Sequence, residues 1–385
     1  MRFTALWLVL AMAASCTAAA PSSRSLPPAR QADNHPQPFM LPPDLEVPGG
    51  VRYVACSRDR HYLFTVGYVS EYDPLTHQQV QYDLVRLWDL TTGEALTDIP
   101  LVDRLSYAAL RSNGTDLALY VATLSGQVRK WTAPKWIPTS LCRLDASMRV
   151  VDMFPAADLI LTGQKRLSPA TGQAQGDLYH LTTGQPFVMP EADPPRQITR
   201  LTMAPDGRRV AGVEDGELRL LRIPEFATER AIAVPAPLAD LASLRFSDDG
   251  KCLIASRKSR PGNTVVWDHA TGQVVGEVDL APYHVVRSFL SEDAKTLVGV
   301  PNDASGDPRL IVFDVATNTA LAEFPLDEPA VAVVFAADGD ALYAISGRGK
   351  TQRARLSRAR AMHAAATAAQ IPAGPTTPLT TGDSR

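Results

Sequence analysis

Of 385 residues only four are cysteine and seven are histidine, and no two of them stand at metal-ligand spacing. There is no CxxC, no HExxH and no Cys/His cluster, so a metal centre has no basis in the sequence. Cys16 lies near the start. The other three, Cys56, Cys142 and Cys252, are an odd number that cannot all pair. They are expected as small apolar thiols, with one disulfide as the alternative. Aromatic residues make up 7% and the formal net charge is −3, which gives nucleic-acid binding no support as a whole-chain property. No apolar run reaches the roughly 20 residues of a membrane-spanning helix. A G-x-S-x-G elbow is missing too, so the residues imply no nucleophile, no cofactor and no metal.

One apparent motif fails on context. Ala344 to Thr351 reads AISGRGKT, a relaxed phosphate-loop pattern with alanine in place of the first glycine. A phosphate loop needs a helix after it, whose free amides and dipole meet the anion. Here TQRARLS follows and aligns with third strands of other repeats. It reads as a β-hairpin, and no nucleotide is expected.

What the chain does have is a leader and a repeat. Arg2 precedes an apolar stretch from Ala5 to Ala14 that ends in Ala13-Ala14-Ser15-Cys16. This resembles a bacterial lipoprotein box, with Ala13 at the position where leucine is more usual. The resemblance implies that residues 1–16 are a signal peptide, that Cys16 is lipidated, and that Thr17 directs the product to the periplasmic side of the outer membrane. Cleavage near Ala18 to Ala20, giving a soluble periplasmic product, is the alternative. Residues 17–37 are rich in proline, alanine, serine and glutamine and read as a flexible tether. Residues 358–385 read as a disordered or partly helical tail.

Between them, over 38–357, one phrase recurs seven times: an apolar stretch, a tight polar turn, a second apolar stretch. It stands as YVACSRDRHYLFTV from Tyr53, RLTMAPDGRRVAGV from Arg200 and SLRFSDDGKCLIAS from Ser243. The turn residues Gly207, Gly250, Ala294 and Gly339 lie 43, 44 and 45 positions apart, the period of propeller blades. A second turn signature closes a third strand in LWDLTTGE, YHLTTGQ, VWDHATGQ and VFDVATNT. Regular short strands with such turns argue for an all-β chain. Trp88-Asp89, Trp267-Asp268 and Phe313-Asp314 are similar to the signature of WD40-repeat propellers, although the Gly-His pair that opens a typical repeat is missing throughout. The expected fold is a single seven-bladed β-propeller with four-stranded antiparallel blades; six or eight blades are the alternatives. The seventh repeat lacks a fourth strand, and the stretch from Phe39 to Val47 is expected to supply it.

Site candidates follow from loop length. Turns between second and third strands emerge on one face, and three of them are long: Gly67 to Asp83, Gly163 to Asp177, and Pro301 to Arg309. Long connections carry function more often than tight ones. Tyr68, Tyr72, Tyr82, Arg166 and Arg309 on this face, with Trp136 elsewhere, are the candidate contacts for a protein partner. The first-strand segments hold one carboxylate, Asp152, and no histidine, a poor basis for a channel enzyme. A basic run from Arg348 to Arg360 reads either as a site for anionic lipid or an acidic partner, or as a solvated strand face. The expectation is a non-enzymatic envelope lipoprotein acting as a scaffold for a protein partner. A propeller enzyme (a lactonase-like hydrolase or quinoprotein-like oxidoreductase) and a lipid-anchored inhibitor or immunity-type protein are the alternatives.

Overall fold

A computed structural model of the chain describes residues 41–361, except 58, 74–76, 113–115, 165–175, 188–197, 215, 224, 235–240, 248, 258–262, 292, 302–305, 337–338 and 358–359. Cys16, the 17–37 tether, Arg166 and nearly all of the 358–385 tail lie outside the described residues. Seven antiparallel sheets follow one another along the chain, each with its strands in sequence order. Five have four strands. The third has three, with a rudimentary fourth at the Tyr179–Pro186 bridge. The seventh also has three of its own. The seven-bladed β-propeller read from the repeat is the fold.

First strands lie innermost: Tyr53–Cys56, Leu105–Ser112, Met148–Phe154, Ile198–Met203, Leu241–Phe246, Val285–Leu290 and Ala330–Phe335. Tyr53–Cys56 contacts both Leu105–Ser112 and Ala330–Phe335, so the last blade meets the first. Second strands are mostly apolar within the blade, and Leu117–Thr123 and Ala341–Ser346 are buried at every position. Fourth strands such as Ala227–Ile232 are exposed along most of their length. Buried on both faces, a second strand has no use for polar alternation.

There is no single core. Apolar side chains gather in seven wedges, one between each pair of neighbouring blades. Leu218 and Leu220 of blade four meet Leu253, Val265 and Trp267 of blade five, for example, and Phe64 and Leu87 of blade one meet Leu119 and Trp131 of blade two.

Local polar bonds hold the hairpins in register. Ser57, Ser247 and Ser291 each accept a bond from the amide that opens the second strand, at 3.0, 2.9 and 3.0 Å. Each also donates to the aspartate two residues on. In the second turn type, Asp89, Asp268 and Asp314 accept the amides of Thr91, Thr271 and Thr317. Blade three has His180 where blades one, five and six have aspartate, and Asp158 from the neighbouring turn accepts Thr182 instead, from amide (3.0 Å) and hydroxyl (2.9 Å). These contacts make the turns self-sufficient without the missing Gly-His pair.

The N-terminal segment lies between blades seven and one. Among the described residues it adds a single bridge at Asp44–Lys350 rather than the full fourth strand expected from Phe39 to Val47, since its pairing with blade seven breaks off after Leu45 and the chain turns away at Gly49. Asp44 pairs with Lys350, Leu45 N–H donates to Gly349 O at 3.0 Å, and Thr351 N–H to Pro43 O at 3.0 Å. The segment then turns at Gly49, where a side chain would collide with the Tyr68 carbonyl 1.5 Å from its Cβ. It bridges to blade one through the Arg86 guanidinium on Glu46 O at 2.6 Å. Leu45, Val47 and Val51 are buried in the wedge between blades seven and one, beside Leu63, Trp88 and Ile345. Replacing the fully buried Leu45 by alanine removes this plug. Leu45→Ala is expected to cost about 3 kcal/mol, read as a lower urea midpoint. Val102→Ala, at a position 92% exposed, should stay within about 0.5 kcal/mol of the parent.

Candidate functional site

The blades present two mouths. On the face of the second-to-third turns, the longest feature is a surprise of form. The segment read from sequence as a long loop is a β-ribbon, because Tyr62–Asp73 and Gln78–Asp89 pair over their full lengths, from Tyr62↔Asp89 to Asp73↔Gln78. The inner neighbour pairs only as far as Val66 and the outer only as far as Asp83, so the ribbon outruns its sheet. Alternation of β-formers on both arms (Tyr68, Tyr72, Val80, Tyr82) is the signal that distinguishes a ribbon from a loop.

The candidate contact residues are not gathered into one patch. Tyr72 is 62% exposed near the ribbon tip and Val80 is 43% exposed on the facing arm. The Tyr72 hydroxyl lies 2.9 Å from His77 Nδ1. Tyr68 and Tyr82 are half-buried nearer the base, and the Arg52 guanidinium lies over the Tyr68 ring. Arg309 is half-buried and ion-paired with Glu323 of its own blade at 3.3 Å. Trp136 sits in a third-to-fourth turn, at the opposite mouth, half-buried against the wedge between blades one and two. The basic run is largely engaged within the fold: Arg348 with Glu328, Lys350 with Asp44, Arg353 over Tyr343, and Arg360 on Thr296.

The opposite mouth, where first strands turn into second strands, holds a cavity of about 610 Å³ among blades two to five. Met153, Phe154, Met203 and Phe246 give it an apolar wall, and Arg111, Arg208 and Arg245 line it as well. Asp152 is there too, accepting the Tyr107 hydroxyl at 2.6 Å and the Met153 amide at 2.8 Å. Burial raises the Asp152 carboxyl above its ordinary range, only partly opposed by those two bonds. Burial, and secondarily the charge of Asp152, push the Tyr53 phenol up to about 12. A sequence search for carboxylates and histidines on the first strands finds Asp152 but passes over arginine. Yet arginine recurs there, as Arg111, Arg149, Arg200, Arg245 and Arg287 on the five successive first strands of blades two to six.

Among the described residues, no three His, Cys, Asp or Glu side chains are placed to hold a metal ion, and no helix is long and apolar enough to cross a membrane. Cys56, Cys142 and Cys252 are thiols rather than disulfides. Cys252 is buried and the other two half-buried. Burial pushes the Cys142 and Cys252 thiols up to about 11, which keeps them protonated and unreactive at neutral pH.

No family model and no curated protein matches the sequence. Among solved structures the fold is similar to the β-propeller domain of Cps50 (Swd1) from Myceliophteria thermophila. The TM-score is 0.56 at 11% identity, over 80% of this chain and 97% of that one. At that identity the likeness is one of fold alone: a β-propeller.

The raised carboxyl has a signed consequence. A folded-state value above the unfolded one means that charging Asp152 opposes folding. The penalty is absent below the unfolded value of about 3.9 and develops as pH rises through the folded value. Asp152→Asn keeps an acceptor for Tyr107 and removes the charge. It is expected to raise the denaturant midpoint at pH 7, with a gain that shrinks toward pH 4, and to lower the pH at which Tyr53 ionises in ultraviolet titration.

Proposed function

We propose that this chain is an exported, lipid-anchored propeller that acts without catalysis, holding a protein partner against the face from which the blade-one ribbon rises. The single observation that carries the reading is the ribbon itself. Beyond Val69 the two-stranded arm outruns its sheet, and its described residues Ser70–Tyr72 and His77–Gln81 are exposed, an exposed tyrosine and valine among them, rather than buried in a wedge between blades. Open strand edges are a liability unless a partner covers them or charge guards them. The edges beyond Val66 and Asp83 carry backbone donors and acceptors that an added strand would satisfy, with Tyr72 and Val80 as side-chain anchors. The lipoprotein box supports the location. A lipid on Cys16 and a tether of about 20 residues would keep the ring near one membrane while its mouths stay accessible.

Two measurements test the proposal. A photo-crosslinker at position 72 in the native envelope should trap one discrete partner. Shortening the ribbon by joining Ser70 to Gln81 through a two-residue turn should abolish that adduct from a probe elsewhere on the face, without changing the thermal midpoint. Cys16→Ser should move the protein from the membrane to the soluble envelope fraction. An unchanged adduct pattern after shortening refutes the docking role, and a membrane-bound Cys16→Ser protein refutes the anchor.

A further inference from the structure

The arginine-lined cavity lies at the mouth opposite the ribbon and has no part in the docking role just described. Its charge balance is one-sided. Of the two carboxylates that line it, Asp152 is taken up by Tyr107 and Met153. Asp206 accepts the Arg208 amide at 2.9 Å and pairs with Arg209 at 3.5 Å. Arg111 and Arg208, both exposed at the cavity wall, form no ion pair among the described residues. Arg245 adds a third guanidinium to the same wall. They stand on separate blades (two, four and five), so the fold and not the local sequence brings them to one hollow.

Physical chemistry narrows the occupant. Guanidinium groups present flat, paired donors that match the oxygens of phosphate or carboxylate, and they remain charged at any physiological pH. The apolar wall of Met153, Phe154, Met203 and Phe246 excludes water from one side, which strengthens attraction at the cavity above that at an open surface. A volume of about 610 Å³ falls in the range of small-molecule sites, about 300–1,000 Å³. We infer that this cavity binds a small polyanion bearing two or more phosphate or carboxylate groups, held between Arg111, Arg208 and Arg245 at the first-to-second-turn mouth of the ring.

Calorimetric titration of the mature protein at physiological ionic strength tests it, with inorganic tripolyphosphate and citrate as the two probes. One-site saturable binding of at least one probe is expected, and whichever binds more tightly identifies phosphate or carboxylate as the chemistry. Arg111→Ala and Arg208→Ala should each weaken binding at least about tenfold, one charge-assisted contact apiece. Arg111→Lys keeps the charge and guards against a folding artefact; it should fall between parent and Arg111→Ala. Arg348→Ala, on blade seven and paired with Glu328, should bind like the parent, as should the ribbon-shortened protein. Failure of both probes to saturate overturns the inference. So does binding that Arg348→Ala weakens as much as Arg111→Ala, or that neither cavity variant changes.

Discussion

Everything in this molecule depends on burying both faces of each sheet. A four-stranded blade with apolar residues on either side cannot be stable alone, because each face needs a neighbour. Stacking blades in a row would leave two faces bare at the ends, and bending the row into a ring removes both ends. The seven wedges are the direct expression of that demand, from Phe64 against Leu119 to Val312 against Leu342. The last wedge, between blades seven and one, differs because no continuous chain runs directly from one blade to the next. The segment from Pro42 to Val51 joins them, pairing with Thr351 on one side and lying against Gly67 on the other.

Arginine has two separate duties here. Several arginines reach across a wedge to a carbonyl of the adjoining blade: Arg60 to Phe335, Arg230 to Thr271, Arg287 to Val331. A guanidinium suits this because its long apolar stem lies along the wedge while the head meets an oxygen at the rim. Among the described residues Arg111 and Arg208 make no such reach, and both line the cavity. The same residue type therefore serves as a tie between blades or as part of a charged mouth, depending on whether a carbonyl of the next blade lies within reach.

Much of the architecture was legible because it repeats. The Ser-x-Asp turns, the aspartates of the second turn type and the 43-to-45-residue spacing all report local chemistry, and local chemistry survives in sequence. Even the substitution of His180 for aspartate changed little, since Asp158 from the adjacent turn took over the bond to Thr182. The site was less legible. A long gap between two apolar stretches looks alike whether it is a loop or a ribbon, and the choice at Gly67 to Asp83 turns on cross-strand pairing. Arg309, a candidate by position, is drawn to Glu323 by the register of its own blade.

The sequence by itself determined the blade: its hairpins, its period, its all-β character and the gap in the last repeat that the N-terminal stretch lies against. These depend on contacts between residues close along the chain, so pattern and spacing record them. Only the tertiary structure decided which charges share a mouth and which are spent between blades. Arg111, Arg208 and Arg245 are scattered over more than a hundred positions, and curvature of the ring alone brings them to one cavity.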